Sequence, residues 1–296
     1  MMEILGVPLP ALMGQLLLGL VNGAFYAMLS LGLAVIFGLL NIINFSHGAL
    51  YMMGAMFAWM GLHYLGINYW WSLLLAPLAV GLFGMVIERT LLRRLYKLDH
   101  IYGLLLTFGL ALILEGLFRD AYGVSGQPYA IPSQLTGVFN LGFMFLPKYR
   151  LWVIVASLAV CLFTWFMIER TRLGAYLRAA TENPSLTQSF GINVPIMVTL
   201  TYGFGVALAG LAGVLAAPVL QVSPLMGSNL IIVVFAVVVI GGMGSIMGAI
   251  LSGLGLGVIE GLTKVFYPEA SATVVFVIMA VVLVLRPAGL FGKEAS

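Results

Sequence analysis

Charge is what this sequence has least of. Of its 296 residues, 8% are charged and 62% are hydrophobic, with a mean hydropathy of +1.13. A water-soluble domain carries about a quarter charged residues. So apolar a chain has the lipid bilayer as its solvent. The shortage also removes nucleic acid as a partner. The net charge is only +3, and the basic residues are too few and scattered to track a phosphate backbone. Cysteine is nearly absent. Cys161 is the single one; it lies in an apolar run, gives no disulfide framework and reads as a small buried hydrophobe. The three histidines, His47, His63 and His100, fall in separate segments. Metal ligands must converge, so no metal site is expected. No Lys or Arg precedes Arg89, so a cleaved signal peptide, which needs a positive leader, is not expected. A nucleotide-cradling G-x-x-x-x-G-K-[ST] fits no window. The nearest fragment, "GLFGKEAS" from Gly289, has the wrong spacing. No cofactor is expected.

What remains is a series of long apolar runs. They cover Ala11–Leu40, Ala49–Leu65, Trp70–Ile87, Ile101–Tyr122, Leu151–Ile168, Ile196–Leu220, Leu230–Met247, Ala249–Val265 and Ala272–Leu285. A membrane helix needs about 20 such residues. Backbone polar groups in lipid must be satisfied internally, and continuous rather than alternating apolarity excludes a barrel. The reading is an all-α, polytopic integral membrane protein with eight or nine spans in one transmembrane domain over residues 1–296. Two places are ambiguous: Ala11–Leu40 is long for one span, and Leu230–Val265 is interrupted by glycines.

The basic residues orient the spans. Arg89, Arg93, Arg94 and Lys97 form one cluster, Arg170, Arg172 and Arg178 a second, and Arg286 with Lys293 a weaker third. The chain crosses twice between the first two, so both lie on the cytoplasmic side. The Pro- and Gly-containing segment of residues 123–150 is then extracytoplasmic, although Lys148 and Arg150 run against the rule. Counting back puts the N-terminus outside, unless the long first run hides two elements. Tyr69, Trp70 and Trp71 read as an interface belt.

The cytoplasmic loop of residues 169–195, "ERTRLGAYLRAATENPSLTQSFGINVP", has its own punctuation. Leu173, Leu177 and Ala180 share one helical face. Asn183 suits an N-cap, Pro184 the first helical position and Gly191 a stop. These define a short helix, Pro184–Phe190, with Leu186 and Phe190 as an apolar edge. So short a helix is marginal in water and needs a partner surface. Two surfaces remain open: the chain's own spans, or a separate cytoplasmic subunit.

Two stretches put polar residues or glycine where the pattern calls for apolar side chains. "NIINFSHG" carries Asn41, Asn44, Ser46 and His47. "GGMGSIMG" carries Gly242, Gly244 and Ser245. The first is either a cytoplasmic turn or a helix broken within the membrane, with polar groups facing a translocation route. The pairing of one interruption per half favours an internal repeat. Glu115 with Arg119 and Glu260 with Lys264 are spaced to pair on one helix face. Gly203, Gly205, Gly210 and Gly213 suit close helix packing.

Three of these stretches, "RAATENPSLTQSFGINVP", "NIINFSHGALYMMGA" and "VVVIGGMGSIMGAILSGLGLG", together with their order and spacing, resemble the ABC importer permeases for branched-chain amino acids, of the LivH type. The likeness runs over nearly the whole chain. It implies an ABC importer permease fold in a bacterial inner membrane and half of a translocation pathway. It also implies a second permease subunit, itself a different chain, two ABC ATPase subunits inside and a solute-binding protein outside. ATP hydrolysis belongs to the ATPases; this chain is not an enzyme. The loop matching Glu182–Gly191 would transmit ATPase motion, which favours the separate-subunit reading and makes Arg178, Glu182, Asn183, Pro184, Leu186, Phe190 and Gly191 the coupling residues. Related permeases serve urea, amides and aromatic acids, so the solute is less specified than the family. A self-contained secondary transporter is the rival class. It needs an intramembrane acid, and only Glu115 and Glu260 offer one.

Overall fold

Apolar length dictates helices here, and the computed structural model, which describes residues 3–4, 7–40, 43–96, 98–142 and 144–292, is built almost wholly from them. Helices α1 (Leu9–Leu40), α2 (His47–Leu65), α3 (Tyr69–Thr90), α4 (His100–Tyr122) and α5 (Lys148–Arg170) precede the polar loop. That loop folds as α6 (Arg172–Glu182) and α7 (Pro184–Ser189), followed by α8 (Val194–Ala216), α9 (Ser228–Gly241), α10 (Ile246–Phe266) and α11 (Val274–Leu285). Among the described residues, six helices are long and apolar enough to cross a membrane; α9 and α11 are shorter apolar helices.

The long first run is one element. The 32 residues of α1 extend about 48 Å at 1.5 Å per residue, more than a hydrocarbon core of about 30 Å. The run Leu230–Met247 is cut short: α9 stops at Gly241, because Gly242 and Gly244 take left-handed φ values of 100° and 85° that an ordinary helix does not admit. Ser245 then caps α10, accepting from the Gly248 amide at 3.1 Å.

The two ends of the bundle are distinguished by their contacts. At one end the 123–147 segment pairs with the α8–α9 connection through Gln127 and Val222 and carries a hairpin in which Phe139 faces Leu146. Tyr149 donates to the Leu215 carbonyl at 2.9 Å there. At the other end Glu88 of α3 bonds Thr199 near the start of α8, and the cavity that holds Glu169 and Arg178 also holds Gly38. The basic clusters at Arg89–Arg94 and Arg170–Arg178 therefore share one end.

The interhelical seams are glycine seams. A Cβ at Gly54 of α2 would lie 2.2 Å from the Gly210 carbonyl of α8, and one at Gly257 of α10 would lie 2.3 Å from Gly23 of α1. Such contacts let backbones meet directly, which is how helices associate where lipid supplies no hydrophobic drive. All four α8 glycines named from sequence do this: Gly203 meets α3, Gly205 meets α1, Gly210 meets α3 and Gly213 meets α2.

Two smaller expectations are corrected. Glu115 and Arg119 form no ion pair; the described residues pair Arg178 with Glu169 and Lys264 with Glu260. Arg119 is exposed, and an exposed pair gains too little to hold two long side chains together. Glu260 and Lys264 do pair, and Glu260 also accepts from the Tyr26 hydroxyl at 2.7 Å. Tyr69 is not a belt residue: it is buried, its hydroxyl accepts from the Trp152 indole at 3.0 Å, and it hydrogen-bonds the Tyr149 hydroxyl at 2.9 Å. Trp70 and Trp71 are exposed at that same end.

Candidate coupling and translocation site

The polar loop builds a platform at the basic end. Helix α6 turns Gly174, Leu177 and Ala180 inward, not Leu173, which is half exposed. The face is decided by Gly174: a Cβ there would lie 1.6 Å from the Ile168 carbonyl, so only glycine lets α6 fold back against the end of α5. The Arg178 guanidinium donates to that same carbonyl at 3.1 Å and to Glu169 Oε2 at 3.4 Å. Glu182, the last residue of α6, is exposed.

The punctuation of α7 works as its residue types dictate. The Asn183 side chain accepts from the Leu186 amide at 3.0 Å, Pro184 opens the helix, Phe190 follows its last residue and Gly191 turns the chain at φ 82°. Thr187 faces inward, whereas Leu186 is 54% and Phe190 77% exposed. The apolar edge thus finds no cover within this chain's described residues.

The first interruption is deep rather than peripheral. His47 Nε2 lies 3.0 Å from the Leu29 carbonyl, eleven residues before the end of α1, or about 16 Å back along it. Asn44, Ser46 and His47 are fully buried. Asn44 Nδ2 donates to the Tyr202 hydroxyl at 3.2 Å, and its Oδ1 accepts from the Ser46 hydroxyl at 2.6 Å. The Thr107 hydroxyl of α4 accepts from the Phe45 amide at 3.1 Å. Asn41 lies outside the described residues.

Among the described residues, the glycines of the two interruptions meet different partners. Gly48 touches Gly227, so the start of α2 meets the start of α9, while Gly244 touches Gly38 of α1. Sequence reading gave no role to the 217–227 connection, which it treated only as the break between the apolar runs that end at Leu220 and begin at Leu230. The second interruption instead joins the α6–α7 platform. A cavity of about 520 Å³ is lined by Gly38, Glu169, Arg178, Thr181, Gly244 and Ser245. Arg178 and the Gly244–Ser245 bend, assigned separately from sequence, share its wall.

Two residues were missed. Glu88 reads in sequence as one more polar residue beside the Arg89 cluster, yet it is fully buried. Its Oε1 accepts from the Tyr96 hydroxyl at 2.7 Å and its Oε2 from Thr199. Burial, then the bond to Glu88, raises the Tyr96 phenol above its ordinary value, which keeps it protonated and a donor. Tyr202 lies three residues beyond Thr199, and nothing in its apolar surroundings announces the bond from Asn44.

A family model described as the branched-chain amino acid transport system permease component matches residues 15–285. The chain belongs to this family. BraD of Pseudomonas aeruginosa, a high-affinity branched-chain amino acid transport system permease protein, is 32% identical over 94% of this chain and 95% of that one. LivH of Escherichia coli K12 is 28% identical with the same two coverages. LivM of the same organism is 29% identical over 90% of this chain and 67% of that protein. The solved structure of PsaBC from Streptococcus pneumoniae in complex with Fab covers 93% of this chain and 88% of that chain at 14% identity, with a TM-score of 0.42. This family member is thus a multi-pass membrane permease subunit, a transport component and not an enzyme, and such a subunit works with the other parts of an ABC importer.

Proposed function

We propose that this chain forms half of the translocation pathway of an ATP-driven importer for branched-chain or related hydrophobic amino acids. A second, different permease chain supplies the other half. Two ATPase subunits dock at α7, a solute-binding protein delivers from the opposite side, and the assembly sits in a bacterial inner membrane. Likeness to both LivH and LivM supports pairing two related but different chains. One observation carries the docking step: a fully capped two-turn helix leaves Leu186 and Phe190 uncovered beside the basic residues of its own loop. The helix rests on this chain only through its Thr187 side, so its apolar edge is left for a partner surface. The pathway role of Asn44, Ser46, His47, Gly242, Gly244 and Ser245 belongs to the same proposal, supported by the depth of the first break and by the cavity at the second.

Proteoliposomes test it. The lone subunit should take up nothing. Uptake of leucine, isoleucine or valine should require the second permease, the ATPases, the binding protein and ATP together. Uptake of urea, amides or aromatic acids in their place would reassign the solute. Concentrative uptake by the lone subunit on a proton or sodium gradient would replace the importer with a secondary transporter.

A further inference from the structure

Glu88 sits where three elements meet. Its own helix α3 ends two residues later at Thr90. Tyr96 belongs to the connection leading into α4, and Thr199 to the second turn of α8. Helix α8 is the element that leaves the α6–α7 platform, with only Phe190–Asn193 between α7 and its first residue. The bond between Thr199 and Glu88 therefore fastens the foot of α8 to α3. Less than one turn further along α8, Tyr202 takes the bond from Asn44 of the first interruption. A continuous set of contacts runs from Glu88 through Thr199 and Tyr202 to Asn44 and Ser46, with one helix as its spine.

A carboxyl group is a poor choice for filling this position. Burying it without full hydrogen bonding costs more than a buried apolar side chain of similar size, which often stabilises as well or better. It offers two acceptor oxygens at fixed separation, and here they hold hydroxyls from two different elements. We infer that Glu88 is a positioning residue for transport: it latches the foot of α8, so that displacement of the α6–α7 platform reaches the Asn44–Ser46 interruption instead of being lost in local bending. The inference rests on the reading of α7 as the ATPase contact.

The test uses the complete complex in proteoliposomes and reads ATP hydrolysed per solute transported, normalised to assembled complex. Glu88→Gln keeps size and shape but presents an amide donor to one of the two hydroxyls, so one bond must break or reverse. Thr199→Val removes the other partner's hydroxyl with little change of shape. Each should raise the ATP used per solute about tenfold, within the range for loss of one side chain in a coupled network. The double variant should be no worse than either single one, because both break one link. Tyr96→Phe, which removes the bond outside the α8 line, should leave the ratio at the wild-type value. If Glu88→Gln and Thr199→Val only lower the yield of complex, with the ratio unchanged, the carboxyl is structural and the inference fails. It fails equally if Tyr96→Phe raises the ratio as much as they do. Failure of the docking reading looks different: no ATPase would co-purify with the wild-type chain.

Discussion

Phe190→Asp tests the docking surface most directly, because the structure separates its effect on folding from its effect on assembly. Phe190 is 77% exposed and follows α7 rather than packing on the bundle. Substitution at such a surface position usually changes stability by no more than about 0.5 kcal/mol. Unfolding of the isolated subunit in detergent should therefore be unaltered. If the side chain is buried against an ATPase, removing the phenyl ring forfeits about 1.5–3 kcal/mol of apolar burial. That corresponds to roughly 10- to 150-fold in the dissociation constant. A carboxylate in the vacated apolar contact adds a desolvation penalty, so this range is a lower bound. Leu186, four residues earlier and 54% exposed, should show the apolar part alone when changed to Ala. The assay is a binding titration of purified ATPase against the reconstituted permease pair, alongside transport-stimulated ATP hydrolysis. A Phe190→Asp dissociation constant within twofold of wild type, with normal stimulated hydrolysis, would remove α7 from the interface.

Further outcomes follow from other parts of the fold. Single cysteines at Asn44, Ser46 and His47, in a Cys161→Ala background, should resist thiol reagents in the conformation described, where all three are fully buried, and should label when nucleotide or solute changes the state; labelling constant across all states would make the interruption a passive turn. Gly54→Ala should lower the midpoint of thermal unfolding, since its Cβ would meet the Gly210 carbonyl at 2.2 Å and overpacking costs about 1–3 kcal/mol; Gly109→Ala, with open space around it, should not, and equal midpoints would refute direct backbone contact between α2 and α8. Tyr149→Phe should destabilise by about 1 kcal/mol, because it withdraws the hydroxyl shared by Tyr69 and the Leu215 carbonyl, and an unchanged midpoint would mean that water replaces it.

Signals that act within a few residues were legible in the sequence. The short helix after Asn183 is local chemistry, a cap, a proline and a left-handed glycine, and it forms within one residue of the expected end. The Glu260–Lys264 pair is likewise one turn of one helix, although the same spacing leaves Glu115 and Arg119 unpaired because Arg119 is exposed. Signals that depend on which faces meet were not legible. Leu173 has the apolar character to turn inward, but Gly174 decides the face, because α6 crosses so close to the Ile168 carbonyl that no side chain fits. Tyr69 has the composition of a belt residue and is instead buried against α5, which lies some eighty residues away in sequence. Glu88 carries the same letter as any solvated carboxylate beside a basic cluster; only the return of α8 past α3 encloses it.

Helix α8 ties these observations together. Its glycines bring it into backbone-level contact with α1, α2 and α3 on different sides, and close-packed surfaces resist gradual deformation. A helix held that way moves as a body or not at all. On the proposed reading, force arriving at α7 enters α8 at its foot, around Val194–Thr199, ahead of the first of its glycines. Glycine seams transmit translation along the helix but offer few side chains to resist bending at that end. The bond from Thr199 to Glu88 is placed where bending would otherwise absorb the movement, and the bond from Asn44 to Tyr202 lies on the next turn. Loss of the first should therefore uncouple hydrolysis from transport. Loss of the second, in Tyr202→Phe, should leave the foot of α8 latched and alter the interruption alone. The two variants are distinguished by solute affinity at constant ATPase docking, which should change in Tyr202→Phe and not in Thr199→Val; the reverse pattern would place the latch at Tyr202 rather than at Glu88.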